Sequence, residues 1–281
     1  MPDCVHSRAP LQRRFLLRPR VWKPIIPWLL LIAAAIFPSR GFSIGQPKYV
    51  ETAPAFKSFR LVHEGTAATL YVDANDYAGV ERAAHDLQAD IFRVSSCKAL
   101  LNEDGKSLTG DVVLIGTIGK SRIIDRLIRE RKIDVSQIKG KWESTLIQVV
   151  SQPLPGVVRG LVIAGSDKRG TIYGIYDLSE QIGVSPWYWW ADVPVEHKDA
   201  LYVKAGRWVQ GEPAVKYRGI FLNDEAPSLT GWAKEKFGGL NHQFYEKVFE
   251  LLLRLKANFL WPAMWDNAFN EDDPLIPKLA D

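Results

Sequence analysis

Two periods of apolar spacing run along this chain and sort it into strands and helices. Ala68–Asp73 and Asp111–Gly116 are apolar runs of strand length, the second ended by glycine. Glu143–Val150 and Val158–Ala164 are two more, and Pro153-Leu154-Pro155-Gly156 between them predicts an antiparallel hairpin. Elsewhere the spacing is helical. Val80, Ala83, Leu87, Ile91 and Val94 fall on one face of Ala78–Val94. Ser121–Glu130 predicts a short helix, and Arg169–Ile182 a longer one closed by Gly183. Residues 44–60 read as an extended lead-in. Strands alternating with helices, plus one hairpin, predict a small N-terminal α/β domain over residues 44–205.

A different pattern occupies residues 206–281. The run Tyr217–Leu222 is mostly apolar and leads straight into Asn223, Asp224 and Glu225, after which Ala226-Pro227-Ser228 breaks the strand. Asn241–Lys256 carries a helical stripe of Phe244, Val248, Leu251, Leu252 and Leu255. Ala257–Asp266 is a second run, rich in aromatics at its end, and Pro274–Leu279 begins another helix. Two buried strands joined by a helix, with polar and aromatic groups at their C-terminal ends, predict the first βα units of a (β/α)8 TIM barrel. That fold takes about 250 residues. Two strands cannot close it and would leave edges bare. The barrel is therefore expected to be incomplete in this chain, and the chain to be the N-terminal part of a longer protein.

Charge changes the picture at one end only. The formal net charge of the 281 residues is +4. Residues 1–43 hold Arg8, Arg13, Arg14, Arg18, Arg20, Lys23 and Arg40 against the single acid Asp3, leaving 29 basic and 31 acidic residues in the remainder. Nothing there attracts a polyanion, and no nucleic-acid partner is expected. The basic stretch precedes the apolar run Ile25–Phe37, which ends in Pro38-Ser39-Arg40-Gly41-Phe42-Ser43. This is the layout of a secretory signal peptide over residues 1–43, and the run is short for a span of roughly 20 residues. Export, periplasmic or secreted, is expected, with no stable membrane span after cleavage; an uncleaved signal anchor is the alternative. Cys4 and Cys97 are the only cysteines, and Cys4 would leave with the signal, so no internal disulfide is expected.

Candidate chemistry gathers where the second pattern turns polar. Glycosidic hydrolysis needs an acid for the leaving oxygen and a carboxylate to activate water or attack carbon. Asp224 and Glu225 offer carboxylates, with the Asn223 amide beside them, but neighbours on a strand face opposite ways, so Asp224 and Glu225 need not act as a pair. A helix cap or surface turn is the structural alternative. Trp261 and Trp265 are aromatic faces of the kind that stack on sugar rings, or else core packing. Asp266, Glu271, Asp272 and Asp273 form an acidic loop read as solvated. In Gly165–Gly174 a glycine turn opens a helix, an anion-friendly arrangement to which Lys168 and Arg169 add positive charge. Dinucleotide and P-loop spacings are absent. No cysteine and histidine cluster has metal-ligand spacing, so neither a metal nor another cofactor is expected.

Three stretches carry a family resemblance. Gly165–Pro194 reads GSDKRGTIYGIYDLSEQIGVSPWYWWADVP, Tyr217–Glu225 reads YRGIFLNDE, and Lys256–Asp273 reads KANFLWPAMWDNAFNEDD. They resemble the end of the N-terminal domain and the first two barrel strands of glycoside hydrolase family 115. The likeness runs in order from about Ala164 to Asp281; residues 44–160 fit more loosely. It implies an α-glucuronidase that releases α-1,2-linked glucuronic acid, or its 4-O-methyl form, from glucuronoxylan with inversion. It also implies that Asp224 is an active-site aspartate and that Asn223, Glu225, Trp261 and Trp265 fall near the substrate. Lys168 and Arg169 are expected near the barrel mouth, facing the substrate carboxylate. The later strands with the partner carboxylate are missing from this chain, so the fragment is expected to be inactive alone. Another barrel glycosidase, such as a β-hexosaminidase relative, and a non-catalytic carbohydrate-binding or signal-anchored protein are the alternatives. Dimerisation is open.

Overall fold

The computed structural model describes residues 47–281; the signal peptide expected at residues 1–43 lies outside them. The chain builds a mixed α/β fold around a six-stranded sheet of order β10-β7-β8-β6-β4-β5. Its strands are β4 (Thr69–Val72), β5 (Leu101–Asn102), β6 (Gly110–Thr117), β7 (Thr145–Ser151), β8 (Val157–Gly165) and β10 (Arg207–Gln210). β5, β4, β6 and β8 run parallel, and β7 joins antiparallel through the predicted hairpin. β10 follows the expected boundary at residue 205 but pairs with β7 and completes this sheet.

Alternation along β6 sets the layers. Val113 and Ile115 belong to one core, Val112 and Leu114 to the other, as the two-residue period of a strand requires. The first core holds α1 (Ala78–Ser95) and α3 (Lys168–Ile182) side by side. On α1, Val80, Ala83, Leu87, Ile91 and Val94 are at most 1 % exposed, as their spacing predicts. Each large side chain among them stabilises by roughly 1.5–3 kcal/mol. The second core is covered by α2 (Arg122–Arg129), capped by Ser121, whose hydroxyl accepts from Ile124 N. A small antiparallel sheet, β1 (Val50–Glu51), β9 (Leu201–Val203), β2 (Phe59–His63) and β3 (Thr66–Ala67), adds Phe59, Leu61 and Val62 to the first core. The lead-in stretch thus contains strands that its mixed composition concealed.

β11 (Gly219–Leu222) and β12 (Phe259–Pro262) form a separate parallel pair, in register Gly219↔Phe259 to Leu222↔Pro262. The connection holds two helices, α4 (Leu229–Phe237) and α5 (His242–Arg254), and α6 (Leu275–Ala280) follows. Ile220, Leu222 and Leu260 face the third core with Trp190, Phe244, Tyr245 and Val248. Gly219 sits so close to β12 that an added Cβ would lie 1.7 Å from the Phe259 carbonyl oxygen.

Two ionic knots bind this pair to the first layers. Arg254 of α5 donates to Asp90 of α1 at 2.8 and 3.3 Å and to Glu250 at 2.9 Å, stacked between Tyr176 and Tyr188. Glu143 receives Arg169 Nε at 2.6 Å, Arg218 at 2.5 Å and Asn258 Nδ2 at 2.8 Å. Burial alone would raise the Glu143 carboxyl; the hydrogen bonds from Asn258, Arg218 and Arg169 hold it below its ordinary value.

Candidate functional site at the ends of the parallel pair

The two strands end together, and Ala263 N donates to Leu222 O at 2.9 Å one step past the ladder. Beyond that point the β12 side turns sharply: Met264 and Asp266 have φ of 60° and 51°. For side-chain-bearing residues this left-handed region costs of order 1 kcal/mol or more each. The turn aims two consecutive backbone N–H groups at β11. Asp224 takes them: Met264 N and Trp265 N donate to its two carboxylate oxygens at 3.2 Å each, and Asn267 Nδ2 adds a third bond at 3.1 Å. Asn267 also donates to Trp265 O at 2.7 Å, and the Thr230 hydroxyl donates to the Asp224 carbonyl. A carboxylate in a cup of backbone donors is the arrangement a fixed charge favours.

Asp224 is accordingly enclosed, with no exposed surface. It stands just past the C-terminal end of β11, where the family resemblance puts an active-site aspartate, and its carboxylate is taken up by the turn after β12. In this conformation it positions the Trp265 loop. Its neighbour Glu225 points the other way and opens, with Trp265, onto a cleft of about 600 Å³, well within the range of ligand sites. Gly238, Gly239 and Asn241 line the opposite side. The buried Tyr245 hydroxyl has no hydrogen-bond partner among the described residues. Burial and the Asp224 charge raise its pKa.

The remaining expected site residues separate. Asn223 is exposed beside the cleft rather than among its lining residues. Trp261 lies on the strand face turned away from the helices, 60 % exposed and edge-on to Phe221 at 5.8 Å between ring centres; it is not at the strand end. Lys168 and Arg169 stand at the opposite end of the pair. Arg169 is held by Glu143 next to Asn258, where β12 begins, and Lys168 reaches the Asp281 carbonyl. They are therefore displaced from the cleft where a substrate carboxylate was expected to meet them. The anion slot at the start of α3 is also occupied from within: Asp167 accepts from Gly170 N at 2.8 Å and from Glu143 N at 2.7 Å. Half of the acidic loop is structural too. Asp272 accepts from Ala268 N, while Asp273 takes His242 N at 2.8 Å and His242 Nδ1 at 2.7 Å, and these bonds from His242 lower its pKa. Glu225, Asp266 and Asp272 are the exposed carboxylates of the cleft, and among its lining residues none is lysine or arginine.

Sequence reasoning missed Asn267 and Tyr245. Asn267 follows the Trp-Asp pair directly and is a common turn former, a signal that could have been read. Tyr245 lies beside the recognised helical stripe and gave none.

Comparison with known proteins gives the family. Residues 210–281 match the model of glycosyl hydrolase family 115. Among solved structures the chain resembles a family GH115 4-O-methyl-α-glucuronidase with specificity for decorated arabinogalactans. The two share 32 % identity at a TM-score of 0.68, over 79 % of this chain and 28 % of that one. The chain belongs to glycoside hydrolase family 115. It spans 28 % of the length of that relative. A mutant Streptomyces plicatus β-hexosaminidase in complex with its product is 13 % identical, with a TM-score of 0.44 over 78 % of this chain and 33 % of its own. A GH20 β-N-acetylhexosaminidase from Streptomyces coelicolor is 12 % identical, with the same score and coverage. Likeness of that degree decides nothing about function. No curated protein matches the chain. Among the described residues no helix is long and apolar enough to cross a membrane.

Proposed function

We propose that this chain supplies the N-terminal layers and one wall of the active site of an exported α-glucuronidase. The reaction is the hydrolytic release of α-1,2-linked glucuronic acid, or its 4-O-methyl form, from a substituted polysaccharide, glucuronoxylan in first place. Membership of family 115 supports the reaction class. The observation that carries the placement is the clamp of Asp224 on the Met264–Asn267 turn, which presents Trp265 and Glu225 to one cleft at the C-terminal ends of two parallel strands. In a (β/α)8 barrel that end holds the chemistry, and β11 and β12 are its opening strands in this reading.

Trp265 offers a face to the sugar ring, and Glu225 beside it is the carboxylate assigned to the substrate, with Asp266 and Asp272 exposed in the same cleft. Asp224 acts through the loop it holds, and would reach substrate only if that loop withdrew. An inverting reaction needs a second carboxylate across the bond, about 6.5–9.5 Å away, and a glucuronate substrate needs a cation. The lining residues offer further carboxylates, Asp266 and Asp272, but no such cation, so in this reading the cation comes from further strands and the 281-residue chain alone releases no sugar acid.

The test incubates this chain, and separately a full-length family 115 enzyme carrying the same Asn223–Glu225 and Trp261–Trp265 segments, with glucuronoxylan and with decorated arabinogalactan. Released 4-O-methylglucuronic acid and its first-formed anomer are followed by NMR. Release of the inverted anomer by the full-length enzyme only, lost in its Glu225→Gln form, is the expected result. Undiminished release by the Glu225→Gln enzyme would remove Glu225 from the site. Binding of oligosaccharides with no release by either protein would favour a non-catalytic carbohydrate-binding role.

A further inference from the structure

Helix α1 and the turn after β5 converge on a second group of side chains. Glu81 and His85 stand four positions apart on α1, hence on one face, and Glu103 follows directly after β5. One ligand atom from each, two carboxylate oxygens and an imidazole nitrogen, lies within 4.8 Å of the other two. No hydrogen bond or ion pair with another described residue engages any of the three side chains. Acids close by are treated differently. Asp86 accepts from Tyr176 and faces Arg82, Asp90 binds Arg93 and Arg254, and Asp104 faces Lys106. Two carboxylates brought together without a cation repel each other, and the fold holds this pair in place. Glu103 O accepts from Ala74 N at 3.3 Å, Asn102 caps the turn through Gly105 N at 2.9 Å, and β5 pairs with β4.

We propose that Glu81, His85 and Glu103 bind one divalent transition-metal ion, zinc in first place. Two carboxylate oxygens and one imidazole nitrogen form a borderline donor set suited to zinc, with the fourth position left to water. The two carboxylates neutralise the ion's charge. Binding pins α1 to the edge strand β5 and so stabilises that side of the sheet. No metal motif is legible along the chain because Glu81 and His85 make only part of a site; the third ligand comes from a strand end that folding alone brings near.

Isothermal titration of the chain with zinc chloride tests this, on the unaltered protein and on His85→Ala and Glu103→Gln. One zinc ion per chain is expected, with affinity reduced by about tenfold or more in each variant, since removing a ligand should cost at least as much as removing an outer-shell partner. Zinc should also raise the melting temperature of the unaltered chain and leave those of the variants unmoved. His85 is exposed, so metal-free melting curves of chain and variant should coincide, which separates lost binding from lost folding. Absence of zinc binding by the unaltered chain would overturn the assignment. Equal affinity in both variants would do so as well, placing zinc elsewhere, and loss in His85→Ala alone would take Glu103 out of the site.

Discussion

Replacing Arg254 by methionine should loosen the whole molecule. The guanidinium is 2 % exposed and serves Asp90, itself fully buried, and Glu250 at 7 %. Methionine keeps much of the volume and the contact with Tyr176 and Tyr188 but leaves two buried carboxylates short of a cation. Breaking a buried pair from one side costs roughly 3–5 kcal/mol. Two neighbours soften the loss: Arg93 still reaches Asp90 at 2.5 Å and Lys247 reaches Glu250 at 3.4 Å. The expected cost is therefore at the lower end, about 3 kcal/mol, or a fall in melting temperature of about 6–12 °C for a domain of this size. Urea and thermal melts followed by circular dichroism read it directly. Arg254→Lys keeps the charge but not the planar fork and should fall between the two. A loss below about 1 kcal/mol for Arg254→Met would refute the reasoning, because it would mean that Arg93 and Lys247 suffice and the buried fork holds nothing.

Two other outcomes follow from the geometry. Gly219→Val should separate β11 from β12, since its Cβ would lie 1.7 Å from the Phe259 carbonyl oxygen; hydrogen exchange at the amides of Phe259, Leu260 and Trp261 should lose protection, and unchanged protection would contradict the register. Glu143 is held below its ordinary pKa in the folded state, so its stabilising contribution is complete above about pH 4.3 and fades as the pH falls through the lowered value. Glu143→Gln should reduce stability at neutral pH and flatten that acid limb, leaving the part due to other carboxyls held low, Glu250, Asp73 and Asp273 among them; an acid limb of unchanged steepness would count against the knot.

Sequence periodicity captured the elements whose burial is one-sided and long. α1, α2, α3 and α5, the β7–β8 hairpin and the β11–β12 pair lie where spacing puts them. It lost short pieces whose apolar residues are few. β2 pairs partly through backbone around an irregular register, and α4 begins just after Pro227-Ser228 and contains Gly231, so its stripe of Trp232, Ala233 and Phe237 reads as a loop. The same limit applies to the candidate site. Strand polarity put Asp224, Glu225 and Trp265 at one end. Which of two adjacent carboxylates faces the cleft depended on Met264 and Asp266 adopting positive φ, which neither residue type announces. Lys168 and Arg169 were misplaced because proximity along the chain says nothing about which end of a strand pair a turn will meet.

The Glu143 knot has a consequence for anyone recombining this protein with its relatives. Its four members come from four stretches of chain: Glu143 before β7, Arg169 at the start of α3, and Arg218 and Asn258 at the roots of β11 and β12. A chimera that joins the first layers of one relative to the strand pair of another would split this set. If the incoming strands lack the arginine and asparagine, Glu143 keeps Arg169 as its one cation; if the incoming layers lack the acid, Arg218 loses its carboxylate at the junction. The junction is thus a compatibility lock, and crossover points for exchanging substrate preference should be chosen so that all four positions travel together.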